Sequence, residues 1–178
     1  EVPVSSPQAY FLTELKKHLK NIGISYSKIQ YAPLPEGKIM LTERVSGLER
    51  VTVDILQNSK NFAAETTFKV AAQKQYNTQG STIMGVQMFN EYYKNIIWGK
   101  TKRVSIVDAS GISRNNLITT DFMTDALSYI IPKENFEFVK SKMATPGVGT
   151  LKNRLLEQKG HVWAKTGTLS GISGLQGM

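Results

Sequence analysis

The chain has 178 residues, of which 40% are hydrophobic and 20% charged, a balance typical of one globular domain with an ordinary core. It has no cysteine, which excludes disulfides and thiolate ligands, and its only imidazoles, His18 and His161, argue against a metal site or a Ser-His-Asp triad. The net charge is +8, but the basic residues are scattered rather than concentrated in a stripe with interleaved aromatics, so we expect no nucleic-acid partner.

No apolar run approaches the roughly 18 residues that a membrane-spanning helix needs, so we expect no membrane span. Residues 1–4 carry neither the basic segment nor the apolar segment of a signal peptide. We therefore expect that a leader was removed or that the chain is an internal fragment of a longer protein.

The first predicted helix begins at Pro7, with Ser6 as its N-cap, and ends before Gly23. Apolar residues recur along it at helical spacing, at Leu12, Leu15, Leu19 and Ile22. The next segments, residues 24–31 and 38–45, predict two short strands.

The middle of the chain predicts three helices: residues 47–57, residues 61–72, and a helix that begins at Gly80 and Ser81. The second of these is rich in alanine, and because small residues permit close packing, we expect it to be buried. The third places large side chains on one face, at Val86, Phe89 and Tyr93.

The second half of the chain predicts a strand over residues 103–107, a turn, and a helix capped by Thr119 or Thr120 and stopped by Pro132. That helix points apolar residues inward, at Met123, Ala126, Leu127 and Ile130. Beyond a loop, residues 150–158 predict a helix and residues 161–165 a strand. Helices dominate without strand–helix alternation, which indicates an α+β or three-layer fold.

The most informative run is Lys165, Thr166, Gly167 and Thr168. Lys supplies charge, Thr supplies directional donors, and Gly lets a ligand approach the main chain, which together suit a carboxylate-bearing substrate. A plain strand end leading into a glycine turn would give the same letters, because short motifs also arise by chance.

Two Ser-x-Asn sequences occur, at Ser59 with Asn61 and at Ser113 with Asn115. Either can be a turn or cap site, because Ser and Asn both bond to local backbone. The first lies between two predicted helices, where a hydroxyl and an amide can project into a cleft from a rigid base.

One Ser-x-x-Lys occurs, at Ser25 and Lys28, within a predicted strand. Residues three apart face one side of a helix but opposite sides of a strand. We therefore interpret this match as chance and Ser25 as no nucleophile.

Taken together, these segments resemble the DacB-type D-alanyl-D-alanine carboxypeptidases, the class C low-molecular-mass penicillin-binding proteins of peptidase family S13. The segments that carry the resemblance stand in the family's order and spacing, at residues 58–65, 108–117 and 149–154 and at the Lys-Thr-Gly. The chain departs from the family at Ala109, where Gly is usual, and at Lys60, where Asp is common.

The resemblance implies an α+β fold that is part of a β-lactamase/transpeptidase-like three-layer α/β/α domain, with an antiparallel sheet flanked by helices. Residues 1–178 would belong to one such domain, incomplete at both ends. The upstream Ser-x-x-Lys segment and the last strand and C-terminal helix would lie outside it. The implied location is periplasmic or otherwise extracytoplasmic.

The resemblance also implies a serine-type carboxypeptidase and endopeptidase that acts on peptidoglycan stem peptides, is acylated by β-lactams and needs no cofactor or metal. It gives catalytic roles to Ser59, Asn61 and Lys165, while the nucleophile would lie outside this chain. The implied substrate-binding residues are Thr166, Gly167, Thr168, Leu169 and Ile112.

Two alternatives stay open. A non-catalytic peptidoglycan-binding module would use the same cleft without a nucleophile. A β-lactamase would need a deacylating carboxylate beside the nucleophile, and we expect Glu65 to be a helix and packing residue instead.

Overall fold

The computed structural model describes residues 4–29, 37, 45–96 and 104–178, with the side chains of residues 94–96 excepted. The chain divides into two compact units, Glu1–Glu43 and Arg44–Met178.

The first unit contains helix α1 (Pro7–Asn21), as predicted. Its N-cap is Ser6, whose Oγ accepts a hydrogen bond from the Ala9 N–H at 3.4 Å, and Gly23 follows its end with a φ of +75°. The predicted strand over residues 24–31 is wrong for residues 24–29, which are irregular. A strand needs a hydrogen-bonded partner, and the described part of this unit offers none. Residues 30–31 and 38–44 of the predicted strands lie outside the described residues.

The second unit contains helices α2 (Leu48–Leu56), α3 (Asn61–Tyr76), α4 (Thr82–Ile96), α5 (Thr120–Ile130) and α6 (Phe136–Ser141). The first four were predicted, and Thr119 caps α5 by accepting a hydrogen bond from the Phe122 N–H at 3.2 Å. Helix α6 was not predicted, because six residues are too few to establish a helical period.

Helix α3 packs against α2 and α4, but the prediction that it is buried is wrong. Ala72 is buried, whereas Ala63 and Ala64 are half-buried and Ala71 is exposed. The close approach to α4 depends instead on Gly85, where a Cβ would lie 2.5 Å from the Phe68 ring. Small residues permit close packing, but a neighbouring element has to be present on their face for them to be buried.

Strands β1 (Ala164–Leu169) and β2 (Ile172–Gly177) form an antiparallel hairpin, which with the helices gives the predicted α+β fold. Gly171, with a φ of +78°, lies in the turn between the strands. The strand predicted at residues 161–165 begins later and runs through the whole Lys-Thr-Gly-Thr sequence. Strand β2 was not predicted, because its glycines disfavour a strand that pairing with β1 nonetheless stabilises.

Two further predictions are wrong. Of the strand predicted over residues 103–107, the described residues 104–107 form only an isolated bridge, between Ser105 and Leu117. The helix predicted over residues 150–158 is two 3₁₀ turns, Gly149–Leu151 and Leu156–Gln158, because Leu155 adopts a φ of +54° that an α-helix does not allow.

The first 3₁₀ turn packs beneath the start of β1. Leu151 is fully buried there against Ala144 and Ala164, and Val162 packs on the same cluster. The Ala164 N–H donates to the Ala144 carbonyl at 2.9 Å, so β1 is fixed at its first residue. This small core positions the segment that follows it, which is the Lys-Thr-Gly-Thr sequence.

Candidate active site

The junction between α2 and α3 holds Ser59 in a left-handed conformation, with a φ of +55°. This conformation is costly for a residue with a Cβ and persists only where the surroundings impose it. The next residue is fixed twice: the Lys60 N–H donates to the Asp54 carbonyl at 2.8 Å, and Lys60 Nζ lies 3.0 Å from Asp54 Oδ1. The hydrogen bond from Lys60 holds the pKa of Asp54 below its ordinary value. The junction therefore aims Ser59 in one direction.

Lys165, on β1, meets Ser59 across the fold. Lys165 Nζ donates to Ser59 Oγ at 2.7 Å and to the Thr166 carbonyl at 2.5 Å, although Ser59 is 106 positions away. Burial lowers the pKa of Lys165 below its ordinary value. An ammonium group can only donate, so the Ser59 oxygen accepts from it, and the proton of the Ser59 hydroxyl is left free to donate elsewhere.

Both residues lie in a cleft of about 520 Å³. The structure brings all eight residues implied by the sequence into its lining: Ser59, Asn61, Ile112, Lys165, Thr166, Gly167, Thr168 and Leu169. Four further residues line it that the sequence did not single out: Ser110, Gly111, Thr150 and Arg154. The only signal for these four was their place inside two of the segments that resemble the family, residues 108–117 and 149–154.

The residues of β1 that line the cleft differ in how accessible they are to a ligand. A Cβ on Gly167 would have no atom within 4 Å, so a ligand can approach the main chain there. Thr168 is exposed, whereas Thr166 is only 8% exposed. Thr168 is therefore the more accessible of the two threonines.

One side of the cleft is formed by residues 108–116, which we call the wall loop. The Asp108 carboxylate fixes its turn, because Oδ1 accepts from the Gly111 N–H and Oδ2 from the Ser113 N–H, each at 2.7 Å. This turn presents Ile112 with half of its surface exposed. Ser113, from the second Ser-x-Asn, has a local role instead: its Oγ accepts from the Asn115 N–H at 3.2 Å.

The wall loop is tied to the rest of the fold at two points. Glu65 Oε1, on α3, accepts hydrogen bonds from the N–H groups of Ala109 at 3.0 Å and Ser110 at 2.9 Å. Arg114 Nη2 donates to the Ser170 carbonyl in the β1–β2 turn at 2.9 Å. The sequence suggested that Glu65 has a packing role. In the structure, Glu65 holds the wall loop through hydrogen bonds.

The first 3₁₀ turn closes another side of the cleft against the end of α2. Gly149 has a φ of +61°, and the Thr150 N–H donates to the Gln57 carbonyl at 3.1 Å. Thr150 Oγ1 is buried, and no described atom hydrogen-bonds to it. Arg154 also lines the cleft and is exposed.

The described residues contain no group of three or more His, Cys, Asp or Glu side chains that could hold a metal ion. In the same part of the chain, no helix has the length and apolar character to cross a membrane.

Known proteins resemble the chain along its whole length. The family model for D-Ala-D-Ala carboxypeptidase 3 (S13) matches residues 1–178. The chain is 27% identical to D-alanyl-D-alanine carboxypeptidase DacB of Haemophilus influenzae, over 98% of this chain and 38% of that protein. It is 26% identical to penicillin-sensitive carboxypeptidase A of Dictyostelium discoideum, over 99% of this chain and 35% of that protein.

A solved structure has the same fold. Penicillin-binding protein 4 (DacB) of Haemophilus influenzae, crystallised with a β-lactam, matches with a TM-score of 0.78 and 25% identity, over 99% of this chain and 42% of that chain. The chain thus spans well under half the length of the relatives it matches.

Proposed function

The chain belongs to the D-Ala-D-Ala carboxypeptidase 3 (S13) family, and we propose that it supplies the recognition side of a serine-type D-Ala-D-Ala carboxypeptidase and endopeptidase active site. The substrates are peptidoglycan stem peptides, and β-lactams acylate the same site. The observation that carries this proposal is the 2.7 Å contact between Lys165 Nζ and Ser59 Oγ, inside a cleft lined by hydroxyl groups and open backbone.

The attacking serine, in this proposal, comes from a Ser-x-x-Lys segment outside this chain. Its hydroxyl attacks the penultimate carbonyl of the peptide while the neighbouring Lys takes up the proton, and water later hydrolyses the acyl-enzyme. Ser25 is a poor candidate for this role, because Ser25 and Lys28 are exposed on an irregular segment and not on a helix that turns both toward one cleft.

Ser59 relays to the leaving amine the proton that the Lys of the Ser-x-x-Lys segment took up, and so regains its own hydroxyl proton. Its geometry supports this role, because the Ser59 oxygen accepts from Lys165 and its own O–H is free to donate. Lys165 adds positive potential beneath the bound peptide. Asn61, at the first position of α3, hydrogen-bonds the acyl amide of the substrate through its side chain.

Strand β1 holds the C-terminal end of the peptide. The hydroxyl of the exposed Thr168 binds the terminal carboxylate, with the more buried Thr166 as a second donor. The Thr168 N–H forms half of an oxyanion hole, which stabilises the charge that develops on the attacked carbonyl. The open space over Gly167 admits the substrate backbone, and Ile112 and Leu169 line the apolar part of the cleft.

Fluorescent penicillin tests this proposal on a polypeptide that carries this chain together with the Ser-x-x-Lys segment. Ser59→Ala and Lys165→Ala should each slow labelling by about a hundredfold or more, the range for loss of a positioned proton-transfer group. The matched controls Ser128→Ala and Lys74→Ala change exposed side chains on α5 and α3 and should label at the normal rate. Undiminished labelling of both site variants would refute the assignment.

The chain by itself should not form a stable acyl-enzyme. Mass spectrometry after incubation with penicillin gives the readout, and an adduct on Ser25 would overturn the placement of the nucleophile outside this chain.

A non-catalytic peptidoglycan-binding module is the second candidate, favoured by the lack of a helical Ser-x-x-Lys among the described residues. It predicts that peptides ending in D-Ala-D-Ala bind but that penicillin labels no form of the protein. A β-lactamase is disfavoured, because Glu65, the carboxylate on the helix of Asn61, already accepts two backbone hydrogen bonds from the wall loop.

A further inference from the structure

We propose that Glu65 is a positioning residue that holds the wall loop at a fixed height over the cleft and so sets affinity for the acyl side of the substrate. The proposed function assigns Glu65 no part in the chemistry, and naming the ligand as an acyl-peptide rests on that function. The placement of the loop by Glu65 does not rest on the proposed function, because it is argued from hydrogen bonds alone.

The contact joins two distant parts of the chain through one atom. Glu65 Oε1 accepts from the Ala109 N–H at 3.0 Å and from the Ser110 N–H at 2.9 Å, across 44 and 45 residues of sequence. Hydrogen bonds to a charged acceptor are stronger than those between neutral groups. Two adjacent donors on one oxygen also fix the direction of the loop backbone, and not only its distance.

Glu65 stands on the same helix as a residue that lines the floor of the cleft. Asn61 precedes it by four positions in α3, so both side chains lie on one face of that helix, one turn apart. One rigid element therefore carries a residue that meets the ligand and the residue that holds the wall. The two residues are one helical turn apart on that element.

The wall loop can transmit this restraint because it is internally braced. Asp108 bonds to three groups within the loop, and Asn116 Oδ1 accepts from the N–H groups of Val107 at 2.8 Å and Asp108 at 3.3 Å. At the far end, the bond from Arg114 to the Ser170 carbonyl ties the loop to the turn of the hairpin. The loop is thus held at both ends, and Ile112 lies between the two points.

Removal of the Glu65 contact frees one end of a braced loop while the Asp108 turn and the Arg114 bond persist. Ser110, Gly111 and Ile112, which line the cleft, would then sample a wider range of positions. A ligand confined to β1 and Ser59 would lose little affinity. A longer acyl-peptide that reaches Ile112 would lose more, because the wall has to be ordered when it binds.

The first test is amide hydrogen exchange by NMR on the chain, which needs no ligand. Glu65→Gln keeps an acceptor oxygen at the same reach, whereas Glu65→Asp keeps the charge on a side chain shorter by one methylene. We expect the Ala109 and Ser110 amides to exchange about tenfold or more faster in Glu65→Asp and Glu65→Ala, and to stay nearer the wild-type rate in Glu65→Gln. Glu134→Gln removes an exposed negative charge elsewhere and should leave both rates unchanged.

The second test compares the dissociation constants of N-acetyl-D-Ala-D-Ala and of a tripeptide with a longer acyl side chain. Glu65→Asp should weaken tripeptide binding on the order of tenfold and dipeptide binding by less than about twofold, where tenfold corresponds to 1.4 kcal/mol. Equal losses for both peptides, or unchanged exchange at Ala109 and Ser110, would overturn the positioning role. Slower exchange in Glu65→Asp than in Glu65→Gln would mean that the length of the side chain does not hold the loop in place, and would overturn the positioning role as well.

The two tests separate this inference from the proposed function. If wild-type chain binds neither peptide, the substrate assignment fails and the claim about affinity fails with it. The exchange rates still decide whether Glu65 holds the loop. If both peptides bind and the Glu65 variants behave like Glu134→Gln, only the inference on Glu65 fails.

Discussion

Gly149→Ala probes the contact between the first 3₁₀ turn and Gln57. Gln57 directly follows α2 and lies two residues before Ser59. A Cβ at this position would lie 2.4 Å from the Gln57 carbonyl oxygen and 2.6 Å from Gln57 Cγ. Backbone has to move to relieve this overlap, which also breaks the 3.1 Å hydrogen bond from the Thr150 N–H to that carbonyl. We expect about 1–3 kcal/mol from overpacking, about 1 kcal/mol from the lost bond and about 1–2 kcal/mol from the left-handed φ.

Gly147→Ala is the matched control. Gly147 also has a positive φ, of +90°, but a Cβ there would meet no atom within 4 Å. It carries the conformational cost of about 1–2 kcal/mol without the overlap. The difference between the two variants therefore isolates the Gln57 contact, at about 2–4 kcal/mol.

Urea denaturation of the two variants measures this difference directly. With a slope of about 2 kcal/mol per molar urea, the unfolding midpoint of Gly149→Ala should lie about 1–2 M below that of Gly147→Ala. Equal midpoints would refute the reasoning, because they would mean that a Cβ at residue 149 does not overlap with Gln57. The affinity for D-Ala-D-Ala peptides should fall in Gly149→Ala and not in Gly147→Ala, since the displaced end of α2 leads into Ser59.

Other predictions test the core, the strained serine and the buried lysine. Leu151→Ala should lower the free energy of unfolding by about 3–5 kcal/mol in urea titration, because Leu151 is fully buried beneath β1; a loss below about 1 kcal/mol would contradict that placement. Ser59→Gly should be more stable than Ser59→Ala by about 1 kcal/mol, since only glycine adopts the φ of +55° freely, while both lose peptide affinity; equal stability would count against the left-handed conformation. Burial lowers the pKa of Lys165, so the folded state binds fewer protons than the unfolded state between that lowered pKa and the ordinary 10.5. The wild type should therefore gain unfolding free energy relative to Lys165→Met as pH rises through this window, and a pH-independent difference would contradict the burial of the ammonium group.

Local signals were enough for most of the helices. Ser6 and Thr119 cap α1 and α5 as their side chains predict, because a hydroxyl before a helical run satisfies N–H groups that the helix leaves free. Hydrophobic periodicity likewise predicted α2 and α4. These features depend on residues within a few positions of each other, which a single sequence displays directly.

Features that depend on pairing or packing with another element were missed or misplaced. Strand β2 exists because β1 pairs with it, although its own residues favour a strand poorly. The segment before Leu117 forms one bridge and no strand in the described residues, and α3 is less buried than its alanines suggested. In each case the local preference was compatible with several outcomes, and the neighbour decided between them.

The candidate site shows the same division. The sequence by itself determined which residue types are available: a hydroxyl and an amide at Ser59 and Asn61, and a cation with flanking hydroxyls at Lys165 to Thr168. The resemblance to a family grouped them into one predicted site. Only the tertiary structure decided that Lys165 Nζ lies 2.7 Å from Ser59 Oγ, that Thr168 is more accessible than Thr166, and that Glu65 holds the wall loop. The two contacts join groups 44 to 106 residues apart, and the accessibility of each threonine depends on what packs around β1, so packing decides all three and local sequence carries no information on it.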